Sequence, residues 1–307
     1  MSQQRTVKTA GSDAPAPRGD LRRALAGMTR WWLGLFLGLI VLRELLQLSW
    51  WPGTLAIPIW LVFLPLALAF LIRPARADDV PSRTVSAPVE GRWTAINSPA
   101  SKVPSHGVRT LGQAFAIDIL HPSSSPTPTR FGWGLRQRRP EEFSSYGADV
   151  RAVQGGRVVR VHTGRRDHRA RTTWPGIIFM LTVEAICREL GGTRFVMGNH
   201  VVIDHGDGSF AAYAHLRSGS VDIKPGMSIA VGQMIGQVGN TGNTSEPHLH
   251  FQLMDRARPD RAAGLPFRWN DIMIEPEPDP RWSTGEVLSS ATDGLPGTAQ
   301  IFRTTTS

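Results

Sequence analysis

Residues 1–30 show no hydrophobic period and carry Arg5, Lys8, Arg18, Arg22, Arg23 and Arg30, so they read as a basic, disordered tail. At Trp31 the pattern changes abruptly. Trp31 to Trp51 is apolar apart from interruptions such as Arg43, Glu44 and Gln47, and Thr54 to Ile72 runs 19 residues without a charge. The second stretch is long enough to cross a hydrocarbon core of about 30 Å as a helix, and the first would have to accommodate Arg43 and Glu44 near the membrane edge. Trp50, Trp51, Pro52 and Gly53 between them suit an interfacial turn. Residues 31–73 are therefore expected to form one or two transmembrane helices. The alternatives are a buried helical hairpin and a cleavable leader ending near Ala75-Arg76-Ala77.

Past this region, residues 74–92 read as an extended linker. Short strand-like runs then recur at Gln113–Leu120, Gly156–His162, Asn199–Asp204, Ser209–His215, Gln233–Val238 and His248–Met254, separated by Gly, Pro, Asn or Asp. This spacing predicts a mainly β fold, an open antiparallel β-sheet domain over residues 93–278. Pro122–Tyr146 interrupts it as a Ser/Pro/Arg-rich loop, and Ile177–Leu190 as one helix. Residues 279–307 are polar and rich in Ser, Thr and Gly, and are expected to be a flexible tail.

Composition narrows the field. The 307 residues leave room for one sizeable domain with appendages, and 41% hydrophobic content excludes a wholly disordered chain. The net charge of +9 favours anionic partners such as lipid headgroups, wall polymers or nucleic acid. No nucleic-acid-binding fingerprint accompanies it, so nucleic acid is not expected as a partner. A single cysteine, Cys187, excludes an intrachain disulfide and any multi-cysteine metal site, and its helical setting suits a small buried hydrophobe.

Three segments carry candidate chemistry. In Glu246-Pro247-His248-Leu249-His250-Phe251, strand alternation puts His248 and His250 on one face, where two imidazoles can share a metal or simply be half-exposed. Asp207-Gly208 turns the chain between two alternating strands and sets His215, in Tyr213-Ala214-His215-Leu216, near the end of the second. Asp118 is the one carboxylate in Phe115-Ala116-Ile117-Asp118-Ile119, and it needs a metal, a cation or several hydrogen bonds to offset its desolvation. His121, His162, His168, His200 and His205 lack paired ligand spacing and read as structural.

Together with Gly198–Gly206, Lys224-Pro225-Gly226, Ile235-Gly236 and Gly239-Asn240-Thr241-Gly242, these segments resemble the lysostaphin and LytM-type zinc metallopeptidases, densely from Asn199 to Leu253 and more loosely from Gln113 to Val161. The resemblance implies one zinc ion held by Asp118 and His250, with His215 and His248 as the catalytic histidines, and a peptidoglycan peptide as substrate. The sequence departs from the family pattern in one place. The usual first ligand, a His four residues before the Asp, falls on Ala114, and His106 in Ser105-His106-Gly107 is the replacement candidate, the alternative being a surface loop histidine.

The function this implies is a membrane-anchored zinc endopeptidase hydrolysing peptidoglycan cross-links. Two rivals are an inactive module of the same fold that binds and activates a cell-wall amidase or division partner, and a zinc peptidase acting on a protein. The expected location is the cell membrane with the peptidase domain extracytoplasmic. Arg73 and Arg76 run against this, because two spans with basic flanks would hold both ends in the cytoplasm.

Overall fold

The computed structural model describes residues 23–24, 27–46, 80–123, 132–283 and 294–305. The strands, in chain order, are β1 Arg83–Val85, β2 Arg92–Ile96, β3 Ile117–Leu120, β4 Asp149–Arg151, β5 Gly156–His162, β6 Asn199–Asp204, β7 Phe210–Leu216, β8 Ser228–Ile229, β9 Met234–Gln237, β10 Leu249–Met254, β11 Gly264–Leu265, β12 Phe267–Trp269, β13 Ile272–Pro278 and β14 Gln300–Thr304. Among the described residues ten of these form one sheet, ordered β13-β14-β2-β3-β10-β7-β6-β5-β8 with β11 added to β10; β4 pairs with β9 and β1 with β12. Every pairing along the sheet from β2 to β5 is antiparallel, as the spacing of the strand runs predicts.

Alternation gives this sheet two different faces. Leu249, Phe251 and Leu253 of β10 join Tyr213 of β7, Val201 and Ile203 of β6, and Trp93, Trp269 and Phe302 in the main core. Phe251 meets Phe267 edge-on with ring centroids 5.0 Å apart. The other face carries His250 and Gln252, and beyond them a small apolar patch of Val202, Ala212, Ala214 and Met254. Small alanines there leave the face low enough for a cleft to form above it.

The structure departs from the sequence reading in several places. The strand expected to begin at Gln113 begins at Ile117; Thr110–Phe115 is a tight turn in which Leu111 and Gly112 take left-handed φ of 59° and 72°. The segment read as a tail supplies β14 between β2 and β13, because Ile301 and Phe302 are both buried, and full burial of one such side chain is worth about 1.5–3 kcal/mol. The segment read as a linker likewise supplies β1, and Val85, Ala87 and Val89 enter the core. Ile177–Leu190 lies within helices α2 (Trp174–Phe179) and α3 (Ala185–Gly191), joined by one π-helical turn, Met180–Glu184. Cys187, expected to be buried, is exposed on α3, which turns much of its surface away from the core. A short helix α4, Thr193–Val196, follows.

The apolar stretch at Trp31 forms helix α1, Thr29–Leu45, of 17 residues. Among the described residues no helix is long and apolar enough to cross a membrane. The span expected at Thr54–Ile72 lies outside the described residues.

Candidate metal centre

Register builds the site. β3 lies between β2 and β10, opposite Ile96 on one side and His250 on the other at Asp118, while His250 also faces Ala214 of β7. Asp118 and His250 are thus cross-strand neighbours whose side chains share the cleft face. His250 Nδ1 lies 2.9 Å from Asp118 Oδ1. His106 reaches the other oxygen, its Nε2 3.0 Å from Asp118 Oδ2. It can do so because the Ser105 N–H donates to the Ala114 carbonyl at 3.0 Å, docking the upstream loop on the turn that precedes β3. Ala114 itself is fully buried.

The donor set passes a simple test of fit. The three ligand atoms of His106, Asp118 and His250 lie within 4.8 Å of one another. Donors about 2.0–2.1 Å from a tetrahedral zinc stand about 3.3 Å apart, so a small inward movement would seat the ion, and two imidazoles with one carboxylate is a three-ligand set of catalytic type. Asn97 Nδ2 donates to Asp118 Oδ2 at 2.8 Å. Burial alone would push the Asp118 carboxyl up, but the His106 and His248 rings beside it and hydrogen bonds from His106 and His250 hold it well below the usual range.

The other two histidines line the same cleft, whose volume is about 370 Å³. His248 Nδ1 is 2.8 Å from the Glu246 carbonyl, so that nitrogen carries a proton, and Nε2 lies 3.6 Å from Asp118 Oδ1. His215 Nδ1 donates to the Thr241 carbonyl at 2.7 Å, which fixes the same tautomer. Its backbone sits at φ 62°, a left-handed conformation uncommon outside glycine, at the end of β7. Burial, then the neighbouring His248 and His250 rings, push His215 well below the usual imidazole value, so it is neutral at pH 7. The His215 and His248 ring centroids are 4.8 Å apart.

Several supporting residues escaped the sequence reading. Gln252 accepts from His250 Nε2 at 2.9 Å and donates to the Leu111 carbonyl at 2.8 Å. Its place two residues after His250 on the same strand face was a usable signal. Buried Glu246 is held bidentately by Arg281, with both contacts at 2.9 Å, and this braces the turn into His248. That pairing joins residues 35 apart and left no local pattern. Met180 and Leu181 of the helical insertion line the cleft, whereas the described part of Pro122–Tyr146 does not. The histidines read as structural lie elsewhere: His200, His205 and His168 each bond backbone carbonyls, and His121 packs on Trp93 with centroids 4.1 Å apart.

Residues 182–261 match the profile of peptidase family M23. Over 72 residues the chain is 45% identical to the peptidoglycan DD-endopeptidase ShyA of Vibrio cholerae, a match covering 23% of this chain and 16% of that protein. The cell division protein DipM of Caulobacter vibrioides is 30% identical over 164 residues, 48% of this chain and 24% of its own length. Lysostaphin of Staphylococcus simulans is 29% identical over 130 residues, 38% of this chain and 26% of its own. The chain therefore spans about a quarter or less of each of these relatives. A zinc-containing peptidase of known structure from Vibrio cholerae superposes with a TM-score of 0.29 and 20% identity, over 59% of this chain and 36% of that one.

Proposed function

We propose, from the premise that this chain carries a domain of peptidase family M23, that it is a zinc-dependent endopeptidase hydrolysing peptide bonds in peptidoglycan cross-links. The observation that carries the reading is the convergence of His106, Asp118 and His250 donor atoms in one cleft with His215 and His248. Zinc held by those three residues would lower the pKa of a bound water to near 7 and polarise the scissile carbonyl. The chain's own residues do the rest. Asn97 and Gln252 hold Asp118 and His250 in place. His215 and His248, each with its Nδ1–H tied to a backbone carbonyl, have Nε2 free to take a proton from the attacking water. That proton passes to the departing amine, so the products are a carboxylate and an amine, and the same imidazoles can donate to the oxyanion.

Three of the relatives are by name peptidoglycan or glycyl-glycine endopeptidases, which supports the substrate class. Ala114 favours the second reading, a domain without zinc that binds and activates a wall amidase. Zinc content and peptide release from purified peptidoglycan, measured on the full chain, separate the two. About one zinc per chain with released peptides supports the enzyme. A zinc-free chain that releases nothing sinks it. The reading includes anchorage at the cell membrane through residues 31–73 with the domain extracytoplasmic, supported by the charge-free run Thr54–Ile72. A reporter fused after Ser307 that is active only in the cytoplasm would refute this location.

A further inference from the structure

A second concavity, of about 400 Å³, opens on the same face of the sheet as the candidate metal centre. Val201 and Val161 point into the main core, so their neighbours point to the cleft side, His200 two strands and Arg160 and His162 three strands along from His250. Six arginines line it: Arg30 from the first turn of helix Thr29–Leu45, Arg109 from the loop after His106, Arg160 of β5, Arg194 of α4, and Arg258 and Arg261. Leu111 lines both this pocket and the metal-centre cleft, so the Arg109–Leu111 turn is the wall between them.

The pocket is poorly neutralised. Two carboxylates face it. Asp260 is already paired with Arg258 at 2.7 Å, and Glu189 is pushed up by burial, which weakens it as a counter-charge. Among the described residues Arg30, Arg109, Arg160, Arg194 and Arg261 have no carboxylate partner. The Nε atoms of Arg160 and Arg261 are buried without any acceptor. Burial, with Arg160 among the neighbouring charges, holds His200 down at about 4. Buried guanidinium N–H groups without acceptors, crowded with like charges, are costly unless an anion accepts from them.

We propose that this pocket is a binding site for a phosphate ester. A carboxylate offers two oxygens and one charge. A phosphate ester offers more oxygens and up to two charges, and it matches the fork of more than one guanidinium at once. Such an ester can be the headgroup of an anionic phospholipid or a soluble phosphate. Arg30 stands immediately before the apolar run at Trp31, a position that suits a headgroup. The proposal does not depend on the hydrolytic reading, because zinc content and peptide release report on that separately.

The test is calorimetric titration of the full chain, in a non-ionic detergent, with inorganic pyrophosphate. Binding is expected, weakened about tenfold by Arg160→Gln and again by Arg261→Gln, as the loss of a charged hydrogen bond implies. Arg160→Lys keeps the charge but loses the fork and is expected to fall in between, while Arg151→Gln, outside the pocket, binds as wild type. Unfolding midpoints verify that each variant is folded, and Arg109→Gln at the rim substitutes for any that is not. Doping the micelles with phosphatidylglycerol distinguishes the sources: displacement of pyrophosphate assigns a lipid headgroup, and undiminished binding assigns a soluble phosphate ester. Absence of pyrophosphate binding in wild type, or wild-type affinity in the Arg160→Gln/Arg261→Gln double variant, overturns the proposal.

Discussion

Gln252→Ala tests whether the metal centre is organised as its hydrogen bonds imply. Gln252 is 1% exposed and makes two contacts, accepting from His250 Nε2 at 2.9 Å and donating to the Leu111 carbonyl at 2.8 Å. The first forces the Nε2–H tautomer, which leaves His250 Nδ1, the atom beside Asp118, as the metal-binding nitrogen. Truncation strands both partners, at a cost of about 1–3 kcal/mol for each buried group. Because the side chain borders the cleft, water can replace part of the loss, so about 1–3 kcal/mol in total is expected. For a domain of this size that lowers the midpoint by roughly 2–12 °C. Loss of such an orienting partner weakens metal affinity about 10–100-fold, or about 1.4–2.7 kcal/mol. Zinc affinity measured by competition with a calibrated chelator, alongside thermal unfolding of the metal-free protein, gives both quantities. Gln252→Glu keeps an acceptor for His250 but sets a carboxylate against the Leu111 carbonyl, so it should retain zinc affinity while losing stability. Wild-type zinc affinity in Gln252→Ala would refute the argument that this amide selects the tautomer.

Other expectations follow from the same geometry. His106→Ala should drop zinc well below about one per chain, whereas His205→Ala, whose ring bonds the Gly155 carbonyl, should retain it; metal analysis of the purified variants decides this. His215→Ala and His248→Ala should keep zinc yet lose about 10²-fold or more in peptide release, and equal loss of zinc would instead make them ligands. His200, held at about 4 by burial in the folded chain, stays neutral there while the unfolded chain protonates near 6.5. Its depressed folded value therefore contributes stability that is complete above about pH 6.5 and is lost as pH falls toward 4, in all about 3 kcal/mol. Denaturant titrations at pH 7 and pH 4.5 should show a smaller fall for His200→Gln than for wild type, and identical falls would contradict it.

His106 reaches the Asp118–His250 pair from a separate part of the chain. The strand pairing that sets Asp118 opposite His250 is framed by the core residues Ile117, Ile119, Leu249 and Phe251. The loop that carries His106 is docked by the Ser105 N–H on the Ala114 carbonyl at 3.0 Å, by Ser105 Oγ on the Gln113 carbonyl at 3.3 Å, and by Gln252 of β10 on the Leu111 carbonyl at 2.8 Å.

The sequence by itself determined what alternation and local turn chemistry can carry. Period-two patterning separates Leu249 and Phe251 from His248 and His250, and Asp207-Gly208 closes the β6–β7 hairpin, with Gly208 at φ +81° and Asp207 Oδ1 accepting from the Ser209 N–H at 2.9 Å. These are interactions between residues close in the chain, so they leave a mark there. Only the tertiary structure decided the rest. β14 forms because Phe302 meets Trp269 across the core, with ring centroids 5.2 Å apart, although its own five residues carry too little pattern to announce a strand. The Arg281–Glu246 brace, the Gln252–Leu111 link and the gathering of arginines from five separate segments into one pocket are contacts between residues distant in sequence. Their energies arise from desolvation and from geometry shared across strands, which no single stretch of chain contains.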